Sequence, residues 1–173
     1  IKSDNANQHN QKSTELLDRA AGELNTFMSW IKKDKVVPDK ATKERRQRYL
    51  SYAKLQLAII AQDKGNTDKS IEMFTTYLKN AKSQENKVKV YQYLYKAYDT
   101  KENIDKLVEI LTQLEKIDGQ FFSGGPKHKD KLLQNAYLRL GAKMLKKSKE
   151  LKEKDQAMSK ELNKKGLWYL QKS

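Results

Sequence analysis

The stretch LAIIAQDKGNTDKSIEMFTTYLKNA, residues 57–81, determines the fold predicted for this chain. Apolar residues recur in it at steps of three and four, the spacing of one face of an α-helix. Gly65 interrupts the pattern where a helix commonly ends, and Asn66 or Thr67 can cap the helix that follows. The pattern then resumes with Ile71, Phe74, Tyr77, Leu78 and Ala81. The stretch therefore predicts two helices joined by a tight turn.

The same periodicity extends in both directions and predicts an all-α chain of six or seven antiparallel helices. The low content of turn formers, 7 Gly and 2 Pro, argues against an all-β fold with many turns. The predicted helices cover about 13–33, 39–64, 67–81, 85–100, 103–117 and 130–144. The Lys- and Glu-rich segment 146–165 either extends the sixth helix or forms a seventh, which Gly166 is expected to end.

The chain of 173 residues has the length of one domain. Residues 1–12 show no periodicity and are predicted to be a disordered lead-in, and Val36-Val37-Pro38 is predicted to break the chain between the first two helices. We expect 13–145 to form the helical domain. The segment 146–173 would add a basic helix and an apolar tail, Leu167-Trp168-Tyr169-Leu170, to the same domain.

Several classes of function are excluded by composition. The chain has no Cys and two His, so it offers neither thiolate ligands nor a histidine cluster for a metal. No phosphate-binding glycine loop, metalloprotease helix motif or serine nucleophile elbow is present. We therefore expect a protein that is not an enzyme and that needs neither a cofactor nor a metal.

The net charge is +14, which favours a negatively charged partner. Among the 36 basic residues, five are Arg and 31 are Lys, and the last third, 121–173, carries a net charge of +9. Dedicated nucleic-acid binders usually rely on Arg, whereas a Lys-rich chain with many Asn and Gln is as readily the product of an AT-rich genome. No apolar run is long enough to span a membrane. Because the sequence opens with Ile1 and a polar stretch, we favour an exported bacterial protein, periplasmic or lipoprotein-anchored.

Two segments look like copies of one unit of two helices. The first copy reads Leu57-Ala58, Ala61, Gly65, Ser70, Phe74 and Tyr77, and the second reads Tyr91, Leu94-Tyr95, Tyr98, Asn103, Leu107, Leu111 and Leu114. The copies are 37 residues apart, from Leu57 to Leu94, close to the roughly 34 residues of a tetratricopeptide repeat. Over about 50–145 the chain thus resembles the tetratricopeptide-repeat family, with a third first-helix at Tyr137, Leu140-Gly141 and Met144. Lys54, Tyr95 and Leu107 depart from the family pattern, and no second helix is expected at the right distance after Met144. A plain helical bundle is the alternative.

The resemblance implies an interaction module that binds a peptide or helix of another protein in a groove lined by the first helix of each pair. By family position the groove residues are Tyr52, Leu55 and Ile59, then Lys89, Gln92 and Lys96, and then Asn135 and Leu138. We expect the first helix to cover the face of Tyr52, Leu55 and Ile59. The binding residues would then be Lys89, Gln92, Lys96, Asn135 and Leu138, and the partner would be acidic.

The alternative function is binding of nucleic acid or an anionic membrane surface through the Lys-rich last third. The candidate basic patch consists of Arg45, Arg46, Arg48, Lys143, Lys146 and Lys147. Each further candidate has a structural interpretation that we favour over a functional one. The loop at Gly124–Lys129 could hold an anion or simply turn the chain, with the next helix starting at Asp130. Tyr91, Tyr93, Tyr95 and Tyr98 could stack on bases or pack between helices, and the tail 167–170 could contact a partner or dock onto the bundle.

Overall fold

A computed structural model describes residues 2–33 and 39–173, with side chains described from residue 11 onwards. Its seven α-helices are α1 (Lys2–Lys33), α2 (Lys40–Asp63), α3 (Thr67–Asn80), α4 (Gln84–Thr100), α5 (Ile104–Lys116), α6 (Gly125–Leu151) and α7 (Gln156–Lys172). A single 3₁₀ turn, Gly119–Phe121, precedes α6. The described residues contain no strand, which confirms the all-α prediction. The break predicted at residues 36–38 lies outside the described residues.

Several helices begin or end at residues of the types that commonly cap helices. The Asp39 carboxylate accepts a hydrogen bond from the Thr42 amide at 2.9 Å, and this bond is the main reason that the pKa of Asp39 lies below its usual value. Asn103 caps α5 in the same way, accepting from the Lys106 amide at 3.1 Å. Gly65 has a φ of 78°, the left-handed conformation in which glycine ends a helix. These short connections turn the chain back after α2 and α4.

The contacts divide the chain into two compact units, one extending to Asn80 and the other spanning Ala81–Ser173. In the first unit, α2 contacts both α1 and α3, which confirms the predicted contact between the first two helices. An ion pair of Asp18 with Lys64 and an edge-to-face contact of Phe27 with Tyr49 show that α1 and α2 run antiparallel. The core of this unit consists mainly of small residues around one aromatic ring: Ile31, Ala53, Leu55, Ala58, Ala61, Ser70 and Phe74.

The first helix is longer than its apolar pattern. It begins at Lys2, so residues 2–12 are helical and the predicted disordered lead-in is wrong for this range. The stretch contains neither Pro nor Gly. Once the turns that pack on α2 have nucleated a helix, adding such residues to its end costs little free energy. The absence of an apolar stripe therefore does not by itself indicate disorder.

The second unit contains α4, α5, α6 and α7, and its core lies mainly on α5 and α6. The segment 146–165 both extends the sixth helix and begins a seventh, because α6 continues to Leu151 and α7 starts at Gln156. The side chain of Asp155 caps α7 by accepting from the Met158 amide at 2.9 Å. A second helix therefore follows Met144 after all, and it packs against α6 along most of its length.

Close packing of α6 on α7 depends on small residues where the two helices cross. A Cβ on Gly141 would lie 2.8 Å from the carbonyl oxygen of Gly166, so the backbones approach too closely for any side chain. Two turns along, Ser148 and Ser159 are buried, and each hydroxyl donates to the other residue's carbonyl oxygen at 2.8 Å. Gly166 consequently lies inside α7 and does not end it, contrary to the prediction.

Only part of the apolar tail, residues 167–170, packs against α6. The ring of Tyr169 stacks on Tyr137 with 6.0 Å between centroids, and Leu170 reaches the α6 crossing at Gly141. Leu167 and Trp168 stay about half exposed, at 50 % and 52 %.

The start of α6 also differs from the prediction. The helix begins at Gly125 with Pro126 in its first turn, five residues before Asp130. Lysines at a helix start oppose the helix dipole, which motivated the later start. In the structure Lys129 instead donates to the carbonyl oxygens of Glu115 at 2.8 Å and Ile117 at 2.6 Å. Its charge thus neutralises the carbonyl end of α5 and does not oppose α6.

Candidate functional site

A cleft of about 410 Å³ opens between α4, α5 and α6 within the second unit. Its lining consists of Gln92 and Tyr95 from α4, Leu111 and Leu114 from α5, and His128, Lys131, Leu132, Asn135, Ala136 and Arg139 from α6. The α6 residues recur at steps of three and four, so they form one face of that helix. This volume lies within the range of roughly 300–1,000 Å³ that is typical of small-molecule and cofactor sites.

The floor of the cleft is apolar. Leu111 and Leu114 of the strongly amphipathic α5 are buried beneath it at 0 % and 1 % exposure, and the half-buried Tyr95 and Leu132 present its accessible apolar surface. Beside them, the hydroxyl of Tyr95 donates a hydrogen bond to the carbonyl oxygen of Ala136 at 3.1 Å. Burial raises the pKa of Tyr95 to about 12, so the phenol stays neutral near pH 7. A ligand in the cleft therefore meets an uncharged, largely apolar surface.

The rim is cationic and carries two amides. Lys131 and Arg139 are exposed on α6, about 12 Å apart along the helix axis from the rise per residue, with His128 one turn before Lys131. The Gln92 and Asn135 amides can both donate and accept hydrogen bonds. No Asp or Glu lines the cleft. A negative group in a ligand would therefore find cations around it and no opposing carboxylate in the lining.

The lining is dominated by apolar, cationic and amide groups. His128 is the one general base among the lining residues, and no nucleophilic Ser or Thr lies beside it there. In the part of the chain that the structure describes, no cluster of three or more His, Asp or Glu is placed to hold a metal ion.

Two of the five predicted binding residues meet in this cleft. Gln92 on α4 and Asn135 on α6 both line it. Lys89 and Lys96 are exposed on α4 and Leu138 is 52 % exposed on α6, but these three lie outside the lining.

The groove residues of the first copy belong to the other unit and do not share one environment. Leu55 is buried at 5 % exposure and Ile59 is half-buried, so neither can contact a ligand freely. Tyr52 stays 62 % exposed. The expectation that the first helix covers all three side chains is therefore wrong for Tyr52.

The residues of the predicted basic patch are divided between two helices. Its arginines are on α2 and its lysines on α6, in different units. Lys143 is held by Asp99, with 3.2 Å to the carboxylate and 3.0 Å to the carbonyl oxygen. Lys147 pairs with Glu150 at 3.4 Å, whereas Lys146 is exposed. Of the arginines, Arg45 and Arg48 are exposed and Arg46 is half-buried and bonded within the chain.

The tyrosine cluster of α4 also separates. Tyr95 lines the cleft, while Tyr91 is half-buried and its pKa is raised, mainly by burial. Tyr93 and Tyr98 are likewise half-buried, and Tyr93 has a partner within the chain. These positions agree with packing between helices rather than with base stacking.

The sequence pattern missed most of the cleft. The helical spacing of Tyr95, Leu111 and Leu114 predicts that they pack in the core, and they do so as well as lining the cleft. His128, Lys131 and Arg139 were not grouped, because the predicted start of the sixth helix at Asp130 left His128 outside it. Once α6 begins at Gly125, the helical spacing from 128 to 139 places all three on the face that also carries Asn135.

In the residues described, no helix is long and apolar enough to cross a membrane. Comparison of the chain with protein-family models, with curated proteins and with solved structures finds no match. The chemistry of the lining residues is therefore the basis for assigning a function to the cleft.

Proposed function

We propose that this chain is a non-enzymatic interaction module whose cleft between α4, α5 and α6 binds an acidic peptide or helix of a partner protein. The observation that carries the proposal is the composition of the cleft: an apolar floor, a rim of His128, Lys131 and Arg139, and no carboxylate in the lining. Apolar contact would supply most of the affinity and the rim would select for negative charge.

The shape of the cleft favours a peptide over a small anion. Its two cations, Lys131 and Arg139, lie about 12 Å apart along α6 and do not converge on one point. A helix or extended segment laid along α6 can place an apolar side chain against the half-buried Tyr95 and Leu132 while its carboxylates meet Lys131 and Arg139. Such a segment uses the whole length of the site.

The resemblance to tetratricopeptide repeats remains part of this proposal. Ala58, Ser70 and Phe74, which carry the small and aromatic positions of the first copy, are fully buried, and Gly65 turns the chain between α2 and α3. The second unit contains two successive hairpins, α4–α5 and α6–α7. Both features support helical repeats of this kind.

The proposal is tested by selecting 12-residue random peptides displayed on phage against the full chain. We expect enrichment of sequences that combine Asp or Glu with Leu, Ile or Phe. The variant Lys131→Glu/Arg139→Glu should fail to enrich them, since both positions are exposed and a change there leaves the core intact. The variant Lys146→Glu/Lys164→Glu, with the same change in net charge at exposed positions outside the lining, is the matched control.

Enrichment by the control but not by the cleft variant supports the proposal. Equal enrichment by all three proteins, or equal loss in both variants, overturns it, because the recognition would then not depend on the cleft.

A further inference from the structure

A second surface, on the first unit, combines exposed aromatic rings with arginines. Four aromatic side chains of α1 and α2 remain exposed, by 38 % to 67 %: Phe27, Trp30, Tyr49 and Tyr52. The contact of Phe27 with Tyr49, at 6.3 Å between centroids, joins the two helices. Trp30 lies one turn after Phe27 on α1, and Tyr52 lies one turn after Tyr49 on α2. Because the two helices run antiparallel, Trp30 and Tyr52 extend from the Phe27–Tyr49 contact in opposite directions. The four rings therefore follow one line across the helix pair.

Arginines accompany the tyrosines at helical spacing. Arg45 precedes Tyr49 by four residues and Arg48 precedes Tyr52 by four. Each of these two tyrosines therefore has a guanidinium one turn away on the same face of α2. Both arginines are exposed. We call these six residues, Phe27, Trp30, Arg45, Arg48, Tyr49 and Tyr52, the Arg–aromatic strip.

The distribution of arginine in the chain is uneven. Four of the five arginines, Arg19, Arg45, Arg46 and Arg48, lie in the first unit, although lysine is the prevailing cation throughout the chain. A guanidinium differs from an ammonium in binding phosphate through two parallel hydrogen bonds and in stacking on flat rings. Arginine is therefore concentrated next to the exposed rings, where those two properties apply.

We propose that the Arg–aromatic strip binds single-stranded nucleic acid. Bases stack on Trp30, Tyr49 and Tyr52, and the phosphates between them pair with Arg45 and Arg48. Ring stacking accepts any base, so the binding is sequence-tolerant, and phosphate contacts make it sensitive to salt.

An anionic membrane fits the strip less well. On α1 the surface that carries Phe27 and Trp30 also contains Thr26 and the exposed ion pair of Arg19 with Glu23, at 3.1 Å. Burying this surface in lipid would desolvate both charges. A single strand contacts rings and cations individually and leaves the ion pair in water.

The test uses a fluorescein-labelled 20-residue oligothymidylate and the full chain carrying Trp168→Phe, which leaves Trp30 as the reporter. We expect saturable anisotropy and quenching of Trp30 fluorescence. Arg45→Gln/Arg48→Gln should lower the slope of log affinity against log salt by about 1.4, at roughly 0.7 for each phosphate contact on a single strand. Tyr52→Ala should weaken binding by about 5-fold or more. Lys69→Gln/Lys79→Gln, which removes the same charge at exposed positions of α3, is the matched control.

The proposal is overturned if the control variant weakens binding as much as the arginine variant, because the attraction would then come from net charge alone. It is also overturned if Trp30 is not quenched, or if Trp30 responds to vesicles of phosphatidylcholine with phosphatidylserine and the oligonucleotide does not bind. Neither result bears on the cleft of the second unit, whose residues are unchanged in these variants.

Discussion

Substitution of Gly141 by Ala tests the close crossing of α6 and α7. The new Cβ would lie 2.8 Å from both the carbonyl oxygen of Gly166 and Cγ of Leu170. Leu170 can rotate away, but the carbonyl belongs to the α7 backbone, so the helices must separate. Overpacking of this kind costs about 1–3 kcal/mol. Ala is favoured over Gly inside a helix by about 1 kcal/mol, which leaves an expected net loss of up to about 2 kcal/mol.

The matched control is Gly22→Ala. Gly22 also lies inside a helix, but a Cβ there meets nothing within 4 Å. This variant should gain about 0.5–1 kcal/mol from helix propensity alone. The same chemical change is therefore expected to have opposite signs at the two positions.

Urea unfolding provides the measurement. Trp168 lies on α7, so its fluorescence in a Trp30→Phe background reports the unit that contains Gly141, and Trp30 on α1, in a Trp168→Phe background, reports the unit that contains Gly22. If Gly141→Ala unfolds at the same or a higher urea concentration than the parent, the two helices do not approach as described and the account of their packing is refuted.

Four further predictions concern stability. Ser148→Ala removes one of the two reciprocal hydrogen bonds between Ser148 and Ser159 and should lower the free energy of unfolding in urea by about 1 kcal/mol. An unchanged free energy of unfolding would show that this bond contributes nothing to stability. Tyr137→Phe keeps the ring stacked on Tyr169 but removes the hydrogen bond to Glu115, so the thermal midpoint should fall, and an unchanged midpoint would contradict this role. Burial opposes ionisation of Glu115, but hydrogen bonds from Lys172 and Tyr137 hold its pKa below the usual 4.5. The stability that the ionised Glu115 contributes is therefore present above pH 4.5 and is lost as the pH falls through the lower, folded-state pKa. Glu115→Gln should flatten that acid dependence, measured as melting temperature against pH. Deleting residues 1–35 removes the helix that packs on α2 and should lower the melting temperature of the first unit, and an unchanged value would show that α1 is not part of its core.

The sequence predicted the helices well because periodicity and capping are local properties. Asp39 and Asn103, at the starts of two predicted helices, each accept the hydrogen bond that this position implies. Gly65 supplied the turn between α2 and α3. These features depend on residues within one or two turns, so they can be predicted without knowledge of the packing.

The errors arose where a distant segment changes what a residue does. Gly166 resembles a helix terminator, but it serves as the contact point for Gly141, 25 positions away in sequence. Lys129 appears unfavourable at the start of α6 until its bonds to the carbonyls of Glu115 and Ile117 are known. Such pairings cannot be read from local spacing.

The candidate site was predicted in part for the same reason. Gln92 and Asn135, which the repeat positions group together, both line the cleft. Lys143 was assigned to an open basic patch, and its bonds to Asp99 across 44 positions show that it is engaged in the fold. Whether a cation is available to a ligand depends on such contacts.

The most direct test of the central claim is the response of two side chains in the cleft to a bound peptide. The most enriched displayed peptide is titrated into the ¹⁵N-labelled chain, and the side-chain amide resonances of Gln92 and Asn135 are followed by NMR. The account predicts that both resonances shift progressively and saturate together, while those of Gln156 and Asn163 on α7, which lie outside the cleft, remain in place. Saturable binding that shifts the α7 amides and leaves Gln92 and Asn135 unchanged would contradict it.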